Sequence, residues 1–381
     1  MIRIEYRRGV RLKRYEGMLK KTEHVIDAVV ADGYVGNKKE MTVAVAKSIF
    51  YRLDATGRSN LMNVAPAGIC SMTDTDKVKI PSLYLDTDTT SFLKSLQANG
   101  KQTFKELTHC KAKDLENLID GIEKKYPVLA QDKAENDPSK RSNLYQVIYH
   151  VFVTNGYGEM KGKSRFYYAL GIDVCPYCNR NRIRPFTRNK ATHVTGELDH
   201  FYCKEKYPYL ALTRENLVPS CSVCNGTSGK HNGDYYKSGL VNPFALAHSH
   251  EFTFGLDITY VPEKVRYENL ASLLKIEFNF QSNRLKKNCD VFNWRQLYRQ
   301  EEYKKLASNI YWEASTCAVQ PYQEQVVTII SGEMDATMAD VFYHRNHVSP
   351  YEEDYLKGPD SKFIVDIFKD VLQKAGGRWM F

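Results

Sequence analysis

The sequence contains no run of eighteen or more apolar residues, so no segment of it reads as a membrane-spanning helix. Its opening, MIRIEYRRGVRLKRYEG, is basic but lacks both an apolar core and a small-residue cleavage site. That excludes a secretory leader and leaves a cytoplasmic protein with no membrane role as the expectation. There is no internal repeat and no low-complexity tract, which excludes a repeat solenoid or a biased linker. Hydrophobic residues make up 43% and charged residues 26%, a composition that argues against a largely disordered chain. At 381 residues the chain exceeds one compact core, and two or three domains are expected. The formal net charge of +9 favours a polyanionic partner such as DNA or RNA, although many soluble proteins are as basic for no special reason.

The nine cysteines form an odd set. Cys70, Cys110, Cys203, Cys289 and Cys317 are scattered singly, and the other four make two CxxC pairs, Cys175–Cys178 and Cys221–Cys224. Without a secretion signal a disulfide scaffold is not expected, and doubled CxxC reads as metal binding. Each pair can form a tight knuckle with two sulfurs directed at one ion. Two knuckles complete a tetrahedral four-thiolate site that suits Zn²⁺ and leaves no open position, so this metal is structural. A redox CxxC needs only one pair within a thioredoxin-like pattern, and no such pattern surrounds either. Cys203, between the pairs, reads as a single buried thiol or an extra ligand.

Periodicity sketches the rest. MIRIEYRR alternates like a short strand. Residues 39–58 read as a helix ending at Gly57, and 91–108 and 112–125 as amphipathic helices, the latter with Leu115, Leu118, Ile119 and Ile122 on one face. Residues 131–142 are polar and read as an exposed loop or linker, and 143–154 resume a helical pattern that runs into Asn155-Gly156. The segment 171–233, dense in Cys, His, Pro, Gly and Asn, has the look of a small metal-stapled unit. EFTFGLDITYV and LLKIEFNF suggest two or three strands within 251–281. From Trp294 the pattern is helical, ending in SKFIVDIFKDVLQK with Phe363, Ile364, Ile367, Phe368, Val371 and Leu372 as its apolar face.

Between and after the knuckles the order CPYC, LDHF, ENLVP, CSVCN and GKH resembles the HNH endonuclease family over about sixty residues. In motif style it is most similar to the PtuB-like HNH proteins of prokaryotic anti-phage systems. The resemblance implies an α+β, mostly α chain with a central ββα-metal nuclease unit, stapled by the four-Cys zinc and flanked by helical regions. It sets a helical region at 1–165, the nuclease unit at 166–245 and a mixed, then helical, region at 246–381. It implies metal-dependent phosphodiester hydrolysis in DNA, with a defence role under the control of an ATPase partner. RNA cleavage and a catalytically inactive zinc-bearing binding or scaffold protein are the alternatives.

The chemistry fits those residue types. A His with a pKa near neutrality can take a proton from water, so His200 is the expected general base. A hard ion, Mg²⁺ or Mn²⁺, prefers oxygen ligands, and Asp199 is the natural carboxylate. The resemblance gives Asn225 as the second ligand, while Asn216 holds the loop and orients the base. His231 follows a stretched GTSG gap and stays open as a replacement ligand, a phosphate contact or neither. Taken singly, Asn216 reads as a cap or turn residue and Asn225 as a helix cap. Adjacent strand residues face opposite sides, so a shared role for Asp199 and His200 requires the strand to end or bulge there. Arg180, Arg182, Arg184, Arg188, Lys190, Lys204 and Lys206 are candidate phosphate contacts or a solvated basic face. Tyr202, Tyr207, Tyr209, Tyr235 and Tyr236 are candidate base-stacking residues, although such tyrosines more often pack a small core.

Overall fold

A computed structural model describes residues 1–7, 10, 12–258, 267–319, 342–343 and 345–375. The architecture is mostly helical with five two-stranded sheets among the described residues, an α+β chain. No described helix is long and apolar enough to cross a membrane. The chain divides into two compact units. One comprises Arg11–Lys163 and His200–Val218, and the other Met1–Val10, Ser164–Asp199 and Pro219–Phe381.

The first, helical unit begins with α1 (Lys13–Asp32), which ends where Gly33 takes the left-handed conformation that favours glycine. β1 (Tyr34–Val35) and β2 (Lys39–Thr42) follow, then α2 (Val43–Arg52) and α3 (Ala55–Val64). A single helix over 39–58 is therefore corrected to a strand and two helices, with Gly57 inside the second. Two caps cause the break. The Thr42 side chain accepts from the Val45 N–H, and the Asp54 carboxylate accepts from the Gly57 N–H at 2.8 Å. β3 (Lys77–Ile80) pairs antiparallel with β2, and β4 (Leu83–Tyr84) with β1. Val43, Ala46, Ile69, Val78 and Ile80 close a small core there.

α4 (Thr87–His109) is broken at Ala98–Lys101, and α5 (Leu115–Lys125) and α6 (Pro127–Asp132) follow. The stretch 131–142 is largely an exposed loop, as expected, but it is pinned at two buried points. Arg141 is buried, with its guanidinium donating to the Glu135 and Glu205 carbonyls, and Asp132 accepts from the Ser142 N–H at 2.7 Å. α7 (Asn143–Ile148) widens into a π-helix, Tyr149–Gly158, so the helix continues through Asn155-Gly156 instead of stopping. Phe92, Phe104 and Phe152 pack edge-on and tilted in the core of this unit.

The second unit carries α8 (Ser164–Leu170), β5 (Pro185–Arg188), β6 (Ala191–Val194), the start of β7 (Glu197–His200), the end of β8 (Leu217–Ser220) and α9 (Ser222–Asn225). β7 pairs with β8, and the chain passes between the units at 199–200 and again at 218–219. β9 (Phe252–Asp257) and β10 (Lys275–Phe280) form an antiparallel pair with α10 (Tyr267–Leu273) between them in sequence; residues 259–261 of the expected strand run lie outside the described residues. α11 (Asn283–Val291), α12 (Trp294–Tyr298) and α13 (Glu301–Val319) follow, and residues 320–341 of the helical stretch lie outside the described residues. α14 (Ser361–Lys374) matches the expected terminal helix, and its six apolar-face residues are all buried. It is buried on its other sides too across its first half, where Lys362 and Asp366 pair at 2.7 Å.

Residues 1–7 form no strand. The alternation is real, with Ile2 and Ile4 buried, but the backbone has no ladder partner. Instead the Ile2, Ile4 and Arg7 N–H groups donate to the Pro176, Pro243 and Ala169 carbonyls in turn. Residue 8 of that stretch lies outside the described residues.

Candidate metal centre and the residues around it

The four cysteines of the two CxxC pairs meet in the second unit. All four are buried and their sulfurs lie within 4.8 Å of one another, with Cys178 and Cys221 Sγ 4.0 Å apart. Zinc–thiolate bonds of about 2.3 Å in a tetrahedron set sulfurs about 3.8 Å apart, so the set fits a metal such as zinc after small side-chain adjustments. The first knuckle is shaped by the Asn179 N–H donating to the Cys175 carbonyl at 2.7 Å, with Asn179 in the left-handed region. The second forms because Cys221 caps α9 and accepts from the Cys224 N–H at 3.4 Å. Asn181 Nδ2 also donates to Cys221 Sγ at 3.2 Å. The Cys175, Cys178 and Cys224 thiols and the Asn181 amide together hold the Cys221 thiol far below its ordinary range, while burial pushes Cys175 up. Such a crowd of thiols is relieved when a cation takes their protons' place. Cys203 is buried in the other unit, outside this set.

Asp199 lies beside the cysteines in the chain fold of the same unit. Its carboxylate accepts from the Tyr177 hydroxyl at 2.7 Å and from Lys230 Nζ at 3.0 Å. Lys230 is 1% and Asp199 4% exposed at the side chain, so this is a buried ion pair. Tyr177 sits inside the first CxxC. The Lys230 N–H donates to the Cys224 carbonyl at 2.8 Å, and the Lys230 carbonyl accepts from the Tyr235 hydroxyl at 2.6 Å. The GTSG gap is what brings Lys230 there. A Cβ on Gly229 would come 2.4 Å from the Cys224 carbonyl oxygen, so only glycine allows the turn to close so tightly. Asn225, the last residue of α9, donates through its side-chain amide to Glu197 at 2.5 Å. That bond turns its amide oxygen away from Glu197 as an available acceptor. His231 is exposed and holds a left-handed backbone.

His200 and Asn216 belong to the helical unit. His200 is the last residue of β7. The ring is buried and its Nε2 lies 3.1 Å from the Ala211 carbonyl oxygen. A carbonyl only accepts, so Nε2 carries the proton and Nδ1 is the basic nitrogen of the neutral ring. The Tyr157 ring meets the imidazole edge-on at 4.3 Å. Asn216 is fully buried. Its Oδ1 accepts from the Tyr202 N–H at 2.7 Å, and its Nδ2 donates to the Tyr202 and Leu210 carbonyls, both at 3.1 Å. One side chain therefore closes the loop 201–216 at three points.

Among the tyrosines, Tyr202, Tyr207 and Tyr209 are buried and stack edge-on in sequence, with the Tyr202 and Tyr209 hydroxyls donating to Glu116 and Glu123. These three pack the core and do not offer a face to a base; Tyr235 and Tyr236 are half-buried. Arg180 is taken by Glu302 at 2.7 Å and by the Tyr303 hydroxyl at 2.6 Å. Lys204 and Lys206 are half-buried. Arg182, Arg184, Arg188 and Lys190 are exposed on and before the β5–β6 hairpin, where Phe186 stacks on His193 at 5.5 Å. Sequence reasoning missed the parts played by Tyr177 and Lys230. Their only sequence signals were a hydroxyl-bearing residue between two metal cysteines and a Lys closely following the second pair.

No family model and no solved structure matches the chain. The chain is 33% identical over 114 residues to the Septu protein PtuB of Bacillus thuringiensis. The match covers 29% of this chain and spans 40% of the length of that relative.

Proposed function

We propose that the chain is an HNH-type endonuclease that hydrolyses phosphodiester bonds in DNA as the effector of a prokaryotic anti-phage system, held in check by an ATPase partner. The observation that carries this reading is the order of parts along the chain. A four-cysteine cluster brackets a strand ending in Asp199-His200, a loop closed by Asn216, a paired strand, and a short helix ending in Asn225. The likeness to a Septu PtuB protein supports the defence role.

In this reading zinc on Cys175, Cys178, Cys221 and Cys224 is structural. His200 Nδ1 takes the proton of the attacking water, and the Ala211 carbonyl fixes the tautomer. Asn216 positions the loop that follows the base. Asp199 uses one lone pair of each oxygen for Tyr177 and Lys230 and retains others for a cation. Asn225 offers its amide oxygen as a second ligand, with His231 as the alternative. A bound Mg²⁺ or Mn²⁺ would supply charge neutralisation at the scissile phosphate and the leaving oxygen. The exposed Arg182, Arg184, Arg188 and Lys190 contact the phosphate backbone.

The buried Asp199–Lys230 pair favours a second reading, a catalytically silent zinc-bearing nucleic-acid-binding or scaffold protein, because it already neutralises the carboxylate. Purified wild type and His200→Ala decide between the two. Plasmid DNA and structured RNA are each incubated with Mg²⁺ or Mn²⁺, with and without an ATPase encoded beside the gene. Cleavage by wild type, lost in His200→Ala with zinc content unchanged, supports the nuclease. Cleavage of RNA alone moves the substrate to RNA. Equal and negligible cleavage by both proteins in every arm sinks the enzyme reading.

A further inference from the structure

A second cluster of metal-ligating side chains lies in the same unit, apart from the four cysteines. His248, His250 and Glu352 offer ligand atoms within 4.8 Å of one another, although Glu352 comes from about a hundred residues further along the chain. We infer that these three residues form a second metal site, selective for an imidazole-binding transition ion such as Zn²⁺, with its remaining coordination open to solvent.

The local geometry prepares such a site. His248 and His250 flank Ser249 at the start of a 3₁₀ turn, Ser249–Glu251, and their rings lie nearly parallel with centroids 4.7 Å apart. Glu251 secures that turn by accepting from the Ala247 and His248 N–H groups at 2.8 and 3.2 Å. Glu352 is not a loose surface carboxylate. One oxygen accepts from the Ser249 N–H at 2.5 Å, which leaves the other oxygen 3.7 Å from His250 Nδ1. The Ser249 N–H therefore anchors the carboxylate, and both imidazoles are exposed beside it.

The donor types choose among cations. Glu352, Ser249 and His248 line a cavity of about 620 Å³ whose wall also carries Arg3, Arg7 and Lys357 and, against them, Glu5, Glu353 and Asp354. Ca²⁺ and Mg²⁺ take all-oxygen ligand sets, which two imidazoles do not supply. Two imidazole nitrogens and one carboxylate oxygen suit Zn²⁺, Ni²⁺ or Cu²⁺. Three protein ligands leave a position for water or an anion on the cavity side, unlike the closed four-sulfur set.

This inference is independent of the nuclease reading, and its test reads metal, not cleavage. The full chain, carrying its four-cysteine metal, is equilibrated with micromolar Zn²⁺, passed through a desalting column and assayed for zinc by mass spectrometry. Wild type is expected to hold about two zinc ions per chain and His248→Ala/His250→Ala about one. Glu352→Gln is expected to lose the second ion at lower chelator concentration than wild type, and Mg²⁺ is expected not to compete. His250→Gln, which keeps the side-chain size, is measured alongside, with circular dichroism reporting folding, and decides the matter if the double variant unfolds. Equal zinc content in wild type and the folded variants, or a single ion in wild type, overturns the site.

Discussion

Replacing Lys230 with Met tests how the carboxylate of Asp199 is held. The two charged atoms are 3.0 Å apart with side chains 1% and 4% exposed. At an effective dielectric near 20, a pair at that distance attracts by roughly 5 kcal/mol, much of which offsets the cost of burying both charges. Methionine keeps the length of the side chain and fills its space, so cavity formation contributes little. What it removes is the cationic partner of a buried carboxylate that also accepts from the Tyr177 hydroxyl. Losing one partner of a buried pair costs about 3–5 kcal/mol. The assay is urea unfolding followed by zinc release to a chromogenic chelator, which reports on the unit that holds the cysteines. Lys230→Met is expected to lower the stability of that unit by about 3 kcal/mol, and Lys230→Met/Asp199→Asn to recover most of it, a coupling of at least about 2 kcal/mol. A single variant within about 1 kcal/mol of wild type, or a double variant that is simply additive, refutes the ion pair as the holder of Asp199.

Cys221→Ser removes the sulfur that three thiols and Asn181 converge on, so it is expected to lose bound zinc and the cooperative unfolding of its unit, seen by metal analysis and near-ultraviolet dichroism. Asp360→Asn probes pH dependence. Burial raises the Asp360 carboxyl to about 6 against the pull of the Tyr303 hydroxyl and Arg180, so the folded state binds this proton better than the unfolded one. Its stability contribution is present at low pH and is lost as pH rises through about 6. Asp360→Asn should therefore stabilise at pH 7.5, by at most about 3 kcal/mol, and make no difference below pH 4, as thermal melts across that range will report. The left-handed backbone at Asp360 also suits Asn, so the substitution adds no strain. Asn216→Ala removes the three hydrogen bonds of a fully buried side chain, one of them accepted from the Tyr202 N–H; a loss of about 2–4 kcal/mol and faster hydrogen exchange at the Tyr202 amide are expected.

What was legible in the sequence follows from range. The meeting of the two CxxC pairs in one cluster was legible because each knuckle is a local structure and only one long-range meeting was needed. The terminal helix was legible because its apolar period runs unbroken for fourteen residues. The 39–58 stretch misled because its hydrophobic pattern is helical on both sides of Asp54, and the break comes from two capping side chains that periodicity does not register. MIRIEYRR misled for the opposite reason: alternating burial arises wherever an extended chain lies on a core, whether or not a neighbouring strand supplies a ladder. Arg141, in a stretch polar enough to read as a linker, is buried because the backbone carbonyls of Glu135 and of the distant Glu205 satisfy it, and nothing nearby in sequence signals the second.

Lys230 and Tyr177 were illegible for a more specific reason, and together they give the four-cysteine cluster a second consequence. Both donors on Asp199 issue from the cysteine loops. Tyr177 lies between Cys175 and Cys178, and Lys230 is tied by its N–H to the carbonyl of Cys224 across a turn that only glycine at 229 permits. An ion that draws the two knuckles together therefore also sets the distance between the hydroxyl and the ammonium that grip one carboxylate. Four thiolates on one ion would leave no open position for chemistry, yet would set where Asp199 stands. Loss of an ion held by the four cysteines should thus disorder Asp199 without any ligand being shared between them, because both of its charge-stabilising contacts are anchored in the cysteine loops.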